Sequence, residues 1–164
     1  MSPTIDSDVE AREPNSGFTF VRRPTSVPPD IRPEWRIPLV LMMVKQCRGG
    51  KASREQLHVL NTIFLNRDSY TSLIMELNGH SAPVSTIVQY EAAFDRALNW
   101  AEGFGFLIIN DSNRFVLTEL GNSIVTAINS NDSLFASERI LLDGLPRSLT
   151  QNSISHVLAE RRQS

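Results

Sequence analysis

The sequence predicts a mainly α, α+β fold with one small β-hairpin, on the basis of three observations. Apolar residues recur at spacings of three and four along several stretches that begin with capping residues. Two short apolar runs, 106–109 and 114–117, flank the polar turn 110–113, as in a hairpin. The 164 residues are 41% hydrophobic and 21% charged, which is typical of one globular domain with appendages.

The first two helices are bounded by start and stop signals. Apolar side chains at helical spacing predict a helix over about 35–48. The Gly-Gly pair at 49–50 can adopt the left-handed conformation that ends such a helix. Ser53 and Gln56 have the spacing of a capping box, so a second helix is expected from there to Asn66.

The elements around the hairpin follow from capping residues and β-branched runs. Asp68 is expected to cap a third helix that ends at 78–79, and residues 86–90 predict a short strand. A helix is expected from Ala92, and Thr118 should cap the helix after the hairpin. Two further helices are expected over about 133–143 and about 150–162. The residues predicted to face inward on the helix after the hairpin and on these two helices are Leu120, Ile124, Val125, Ile128, Leu134, Ile140, Leu141, Ile154, Val157 and Leu158.

Proline content divides the chain into three parts. Six of the nine prolines fall within residues 1–33, which are predicted to form a Pro-rich arm, either flexible or bound to a partner. Residues 34–130 form the predicted folded domain, and residues 131–164 a C-terminal helical extension.

The arm contains one β-prone segment, Phe-Thr-Phe-Val-Arg-Arg at residues 18–23. This segment is either an incidental apolar patch on a disordered tail or an arm that adds to a partner's sheet or groove. Its candidate contact residues are Phe18, Phe20, Arg22 and Arg23.

Charge is distributed unevenly along a chain whose net charge is only −2. Residues 1–21 carry −3, residues 22–67 carry +6 and residues 68–164 carry −5. The basic residues of the first two helices and their flanks could contact phosphates or an acidic partner, or could simply form a solvated face. These candidate contacts are Arg36, Lys45, Arg48, Lys51, Arg54 and Arg67.

No residue pattern in the sequence predicts catalysis, a cofactor or a metal site. The single cysteine, Cys47, cannot form an internal disulfide and lies on an apolar helix face, where we expect a small core residue. Gly50-Lys51 does not fit a phosphate-binding loop, because Lys45 and Ala52 stand where a glycine and a Ser or Thr are needed. The three histidines have no carboxylate or thiol at metal-ligand spacing. We therefore expect a protein that is not an enzyme.

The sequence also predicts a cytoplasmic protein without membrane contact. Its longest dense apolar run, residues 37–44, is far shorter than the roughly 20 residues that cross a bilayer. The N-terminus has acids and prolines where a secretory signal has a basic start and an apolar run.

Two segments resemble the winged helix-turn-helix superfamily over about residues 36–129. Residues 94–107 are similar to the helix that leads into the β-hairpin wing, and residues 114–121 are similar to the end of the wing. The ending Phe115-x-Leu117-Thr118-x-x-Gly121 is particularly similar. The resemblance implies that the predicted hairpin is a wing within a winged-helix domain over residues 34–130.

A narrower resemblance concerns bacterial ABC three-component defence systems of the Lamassu-like type. Residues 35–39 leading to 47–53, with the later helix Ala-Leu-x-x-Ala-x-Gly-x-Gly at 97–105, are similar to the small middle component of these systems. The resemblance implies a non-enzymatic accessory subunit that binds an SMC/Rad50-like ATPase. It also implies an effector subunit, often a nuclease, in the same complex, and DNA contact through that complex.

The alternative function is a winged-helix DNA-binding transcriptional regulator. In such proteins the helix before the hairpin usually enters the major groove. Here its polar side offers three acids and one arginine, a poor surface for a polyanion. These residues are Glu91, Asp95, Arg96, Asn99 and Glu102. We therefore expect protein contacts to dominate, while the +6 segment keeps the DNA-binding alternative open.

Overall fold

The computed structural model describes residues 32–78, 80 and 88–146. The described part is mainly helical and carries one small antiparallel sheet, so the predicted α+β class is confirmed. Its elements are α1 (Pro33–Gln46), β1 (Lys51–Ala52), α2 (Arg54–Leu65), α3 (Arg67–Leu77), α4 (Ala92–Gly103), β2 (Leu107–Ile109), β3 (Phe115–Leu117), α5 (Glu119–Asn129) and α6 (Ala136–Asp143).

Helix α1 forms the centre of the core. It begins at Pro33, two residues earlier than expected, because a proline in the first turn has no N–H that needs a partner. Every residue from Leu39 to Val44 is buried, and the chain leaves the helix at the buried Cys47. Gly49 and Gly50 adopt φ values of +70° and +62°, as predicted, but they do not end the helix: α1 ends at Gln46, and Cys47 is already extended.

The hairpin is present, and a third strand joins it. The strand order is β1-β3-β2, with both pairings antiparallel, Ala52 opposite Phe115 and Leu107 opposite Leu117. The short strand β1 was not expected, because two residues are too few to show an alternating pattern. The segment between the two strands, residues 110–114, is one residue longer than predicted, because Arg114 precedes β3.

The predicted strand over residues 86–90 is wrong where the structure describes it. Residues 88–90 are not in a strand, and residues 86–87 lie outside the described residues. The backbone N–H of Gln89 instead donates to Thr62 Oγ1 at 3.1 Å, which ties this segment to α2. The β-branched composition was overridden by a tertiary contact.

Two of the three expected helix caps are confirmed. Ser53 and Gln56 form both hydrogen bonds of the capping box, at 3.1 and 2.8 Å. Thr118 Oγ1 accepts the backbone N–H of Gly121 at 3.1 Å. The prediction for Asp68 is wrong, because the Asn66 side chain accepts the first backbone N–H groups of α3.

The inward faces of the last helices were partly mispredicted. Leu120 is 53% exposed although Val125 and Ile128 are buried, because the start of α5 lies at the edge of the core. Leu134 precedes α6, which begins at Ala136, and is exposed. Within α6, Ile140 is exposed and Leu142 is buried instead, so the buried face of this helix is not the predicted one.

The region after α5 packs onto the rest of the fold. The indole N–H of Trp35 donates to Glu138 at 3.1 Å, and the Gln46 amide donates to the carbonyl oxygens of Leu142 and Leu145. Helix α6 is therefore fixed against both ends of α1. The predicted helix over 150–162 lies outside the described residues.

Candidate functional site

The N-terminal ends of α1 and α4 are joined by a buried arginine. Arg36 is 2% exposed, and its guanidinium donates to both carboxylate oxygens of Glu91 at 2.8 and 2.7 Å. Asn61 on α2 donates to Glu91 at 3.1 Å and also contacts Arg36. The prediction that Arg36 is a surface contact is therefore wrong, because its charge is used inside the fold.

The Glu91 carboxylate is held in its ionised form by these partners. Burial by itself would raise the pKa of Glu91. The hydrogen bonds from Arg36 and Asn61 and the charge of Arg36 outweigh burial, so the pKa lies below its usual value. The pair is therefore ionic, and its planar, bidentate geometry fixes α4 relative to α1.

A second ionic contact joins α2 to α4. Arg54 forms an ion pair with Asp95, and its guanidinium carbon lies 5.5 Å from the centre of the Phe115 ring. His58 Nε2 is 3.1 Å from the same Asp95 carboxylate, so the ring donates there as the Nε2–H tautomer. Arg54 remains partly exposed, but its charge is already matched.

His58 is enclosed at this junction. The residue is fully buried between the rings of Tyr90 and Phe94, whose centres lie 4.6 and 5.2 Å from its own. Its Nδ1 has no hydrogen-bond partner among the described residues. With Nε2 on Asp95 and its ring between Tyr90 and Phe94, His58 is a packed core residue at the contact between α2 and α4.

Three of the predicted basic contacts remain at the surface as one group, which we call the basic turn: Lys45, Arg48 and Lys51. Lys45 lines a cleft of about 240 Å³, together with Val116 and Asn122. Its ammonium donates to Asn122 at 2.8 Å. Lys51 is paired in register with Val116, so it lies beside the same cleft.

Arg67 does not belong to the basic turn. It is exposed at the start of α3, while the basic turn precedes the start of α2. The twelve residues of α2 separate the two positions by about 18 Å. The structure therefore leaves three of the six predicted contacts exposed near the turn after α1, buries Arg36 against Glu91, pairs the partly exposed Arg54 with Asp95, and places Arg67 elsewhere. The predicted arm contacts Phe18, Phe20, Arg22 and Arg23 lie outside the described residues.

An exposed apolar surface was missed by the sequence reasoning. Trp100 is 42% exposed and Phe104 61% exposed at the end of α4, and Ile108 on β2 is also exposed. We call these three residues the α4–β2 surface. The core face of α4 is formed by Phe94, Ala97, Leu98 and Ala101. Trp100 lies off that face, which is the signal that could have identified it, whereas Phe104 has the helical phase of Ala97 and only the structure shows that it is exposed.

The thiol of Cys47 is not prepared to act as a nucleophile. Burial raises the pKa of Cys47 to about 12, although the charge of Arg114 opposes this, so its thiol stays protonated. Cys47 is 2% exposed, which confirms its expected place in the core. Within residues 32–78, 80 and 88–146, no cluster of three or more His, Cys, Asp or Glu side chains is arranged to hold a metal.

None of the described helices combines the length and apolar character needed to span a bilayer.

Searches against protein-family models, curated proteins and solved structures found no significant match to this chain. Comparison with known proteins therefore adds no family assignment.

Proposed function

We propose that this chain is a winged-helix accessory subunit that acts by binding another protein, an SMC-like ATPase of a bacterial antiviral or anti-plasmid defence complex. The observation that carries the fold proposal is topological. The order α1-β1-α2-α4-β2-β3, with β3 between the other two strands, is typical of winged-helix domains, and α3 is an addition. On this proposal β2 and β3 form the wing, and α4 occupies the place of the reading helix.

The exposed surface of α4 supports a protein partner. A helix that reads DNA presents basic and amide side chains, whereas α4 ends in the exposed aromatic residues Trp100 and Phe104. Aromatic side chains are enriched at the centres of protein interfaces, where their burial supplies much of the binding energy. The α4–β2 surface is therefore the contact that we assign to the ATPase. An effector subunit, often a nuclease, would join the same complex, as the resemblance implies.

Co-purification tests this proposal directly. The tagged chain is co-expressed with the products of the genes that neighbour its own, among which the proposal expects an SMC-like ATPase, and the complex is isolated by affinity chromatography. We expect the double variant Trp100→Ser/Phe104→Ser to lose the ATPase, because the aromatic anchors are gone. Leu65→Ser is the matched control, since Leu65 is exposed and apolar but lies at the end of α2.

Both variants are checked for an unchanged thermal midpoint. A folded wild-type chain that ignores the co-expressed ATPase contradicts the proposal. Retention of the ATPase by the double variant moves the contact away from the α4–β2 surface. Loss of phage resistance in cells that carry the double variant, but not in those with the control, would link the contact to defence.

A second candidate function, DNA binding, rests on the basic turn. Lys45 lines the cleft, Lys51 is paired with the cleft residue Val116, and Arg48 directly precedes the cleft residues Gly49 and Gly50. Each of these three exposed cations can contact a phosphate without reading sequence. Binding of duplex DNA is measured by fluorescence anisotropy at increasing salt. Three phosphate contacts predict a slope of log K against log salt of about −2.7. The triple variant Lys45→Gln/Arg48→Gln/Lys51→Gln should abolish this slope. Arg67→Gln is the control and should leave the slope unchanged. If the wild-type chain shows no salt-dependent affinity for DNA, this function is excluded.

A further inference from the structure

The outer edge of β2 carries unpaired backbone groups. Phe106 accepts the N–H of Thr118 at 3.1 Å, and Asn110 donates to Arg114 at 3.0 Å. Hydrogen-bonded pairs alternate along antiparallel strands, so Ile108 is the residue of β2 that bonds to β3. The N–H and C=O groups of Leu107 and Ile109 therefore point away from the sheet. Among the described residues, no strand pairs with this edge.

The side chains at this edge are also unprotected. Ile109 is 40% exposed and Ile108 is exposed on the outer face. Proteins usually protect such an edge with a lysine, a proline, a bulge or a covering segment. Strand β2 contains none of the first three, since its sequence is Leu-Ile-Ile. The edge therefore has the backbone and the side chains of a site for one more strand.

We infer that residues 18–23 of this chain pair with the open edge of β2 as a fourth strand. This segment, Phe-Thr-Phe-Val-Arg-Arg, consists of residues that favour strands, and it is bounded by Gly17 and Pro24. Alternation places Phe18 and Phe20 on the same face, where both can cover the apolar side chains at the edge.

Charge complementarity supports the same occupant. Exposed carboxylates lie beyond both ends of β2, Glu102 before it and Asp111 after it. In the proposed pairing, Arg22 and Arg23 at the end of the arm segment would have a carboxylate beyond the end of β2 in either strand direction. The opposite-charge contact adds to the main-chain hydrogen bonds and to the burial of the two phenylalanines.

The chain is long enough to make this contact. Nine residues, 24–32, join the arm segment to α1, and in an extended conformation they span about 28 Å. The Arg36–Glu91 contact holds the start of α1 beside the start of α4. Twelve residues of α4 cover about 18 Å. The backbone N–H of Phe106 donates to the carbonyl oxygen of Ala101 at 2.9 Å, so β2 begins beside the last turn of α4 and lies within the span of the nine residues. This pairing does not depend on whether the chain binds an ATPase.

Amide hydrogen exchange on the full chain tests the pairing. We expect slow exchange at the N–H groups of Leu107 and Ile109, which the sheet alone leaves open. Phe18→Ser/Phe20→Ser should speed their exchange by about tenfold or more, because the added strand loses its apolar contacts. Thr25→Ala, in the same arm but outside the segment, is the control. Equal exchange rates in the wild type and the double variant would overturn the inference.

A proline at the edge gives an independent readout. Ile109→Pro removes an outward N–H and keeps the bonds of β2 to β3, which run through Ile108. We expect the N–H groups of residues 18–23 to lose protection while the N–H of Val116 keeps it. Unchanged protection of the arm would overturn the inference. A second result would also overturn the inference: protection of the Leu107 N–H that increases with protein concentration, together with the mass of a dimer. The added strand would then come from a second copy of the chain.

Discussion

Two groups of cations from the same basic stretch of sequence have opposite roles in the structure. Arg36 and Arg54 lie against carboxylates of α4 and join that helix to α1 and α2. Lys45, Arg48 and Lys51 are exposed at the basic turn. The difference shows that the +6 charge of residues 22–67 is not the charge of one surface. Part of it is cancelled inside the fold by acids from the distant −5 segment.

The acids of α4 divide in the same way. Glu91 and Asp95 face the neighbouring helices, and Glu102 is exposed. The sequence suggested that three acids on this helix repel nucleic acid. Glu91 and Asp95 instead form ion pairs with arginines, so the exposed face of α4 carries less negative charge than the number of acids in its sequence suggests. The stronger reason to favour a protein partner is the exposed Trp100 and Phe104.

Glu91→Gln should have the largest effect on stability, because it removes the carboxylate that accepts two hydrogen bonds from the buried guanidinium of Arg36. We expect a loss of about 3 kcal/mol in the free energy of unfolding, measured by urea denaturation. Glu102→Gln, on the same helix but exposed, is the control and should change stability by less than about 0.5 kcal/mol. Equal losses in the two variants would show that the ion pair of Glu91 with Arg36 contributes no more to stability than an exposed carboxylate does.

Removing both charges should cost less than removing one. Arg36→Met fills the same space with an apolar side chain, so Arg36→Met/Glu91→Gln no longer buries an unpaired charge. We expect the double variant to be more stable than Glu91→Gln in the same urea series. A double variant that is less stable than the single one would assign the effect to packing around the Arg36 stem.

Acid should weaken the ion pair between Arg36 and Glu91. The pKa of Glu91 is lowered in the folded state, so its contribution is complete above the ordinary pKa near 4.5 and is lost as the pH falls through the folded value. Wild-type stability should therefore drop at low pH more steeply than that of Glu91→Gln. The drop attributable to Glu91 should not exceed the loss caused by Glu91→Gln. Parallel curves of thermal midpoint against pH would contradict this assignment.

Arg54→Gln should have a smaller effect than the changes at Glu91. Its side chain is 45% exposed, so water screens the ion pair with Asp95 and replaces it when it is lost. We expect a loss of about 0.5–1 kcal/mol, part of it from the contact with the Phe115 ring. A loss as large as that of Glu91→Gln would mean that Asp95 and His58 depend on Arg54 for their positions.

The basic turn should be the least sensitive region. Lys45→Gln/Arg48→Gln/Lys51→Gln removes three exposed charges and should change the free energy of unfolding by less than about 0.5 kcal/mol. The one defined contact at risk is the exposed hydrogen bond of Lys45 to Asn122. A large loss in thermal midpoint would show that the basic turn also holds the fold together.

Local signals in the sequence determined most of the elements and their ends. The capping box at Ser53, the cap at Thr118 and the left-handed glycines at 49–50 depend on neighbours within four residues, so the sequence shows them directly. The hairpin is equally local, since its strands adjoin one turn. The strand expected at 86–90 failed over residues 88–90 because a distant hydroxyl, Thr62, captures the backbone there.

Only the tertiary structure decided which charges meet and which strand edges stay open. Arg36 and Glu91 are 55 residues apart, and no periodicity within either helix indicates that they face each other. Strand β1 exists because β3 passes beside residues 51–52, which are too few to form a pattern alone. Side-chain pairing between distant segments depends on how helices pack, and that packing minimises the free energy of the whole chain rather than of any one segment.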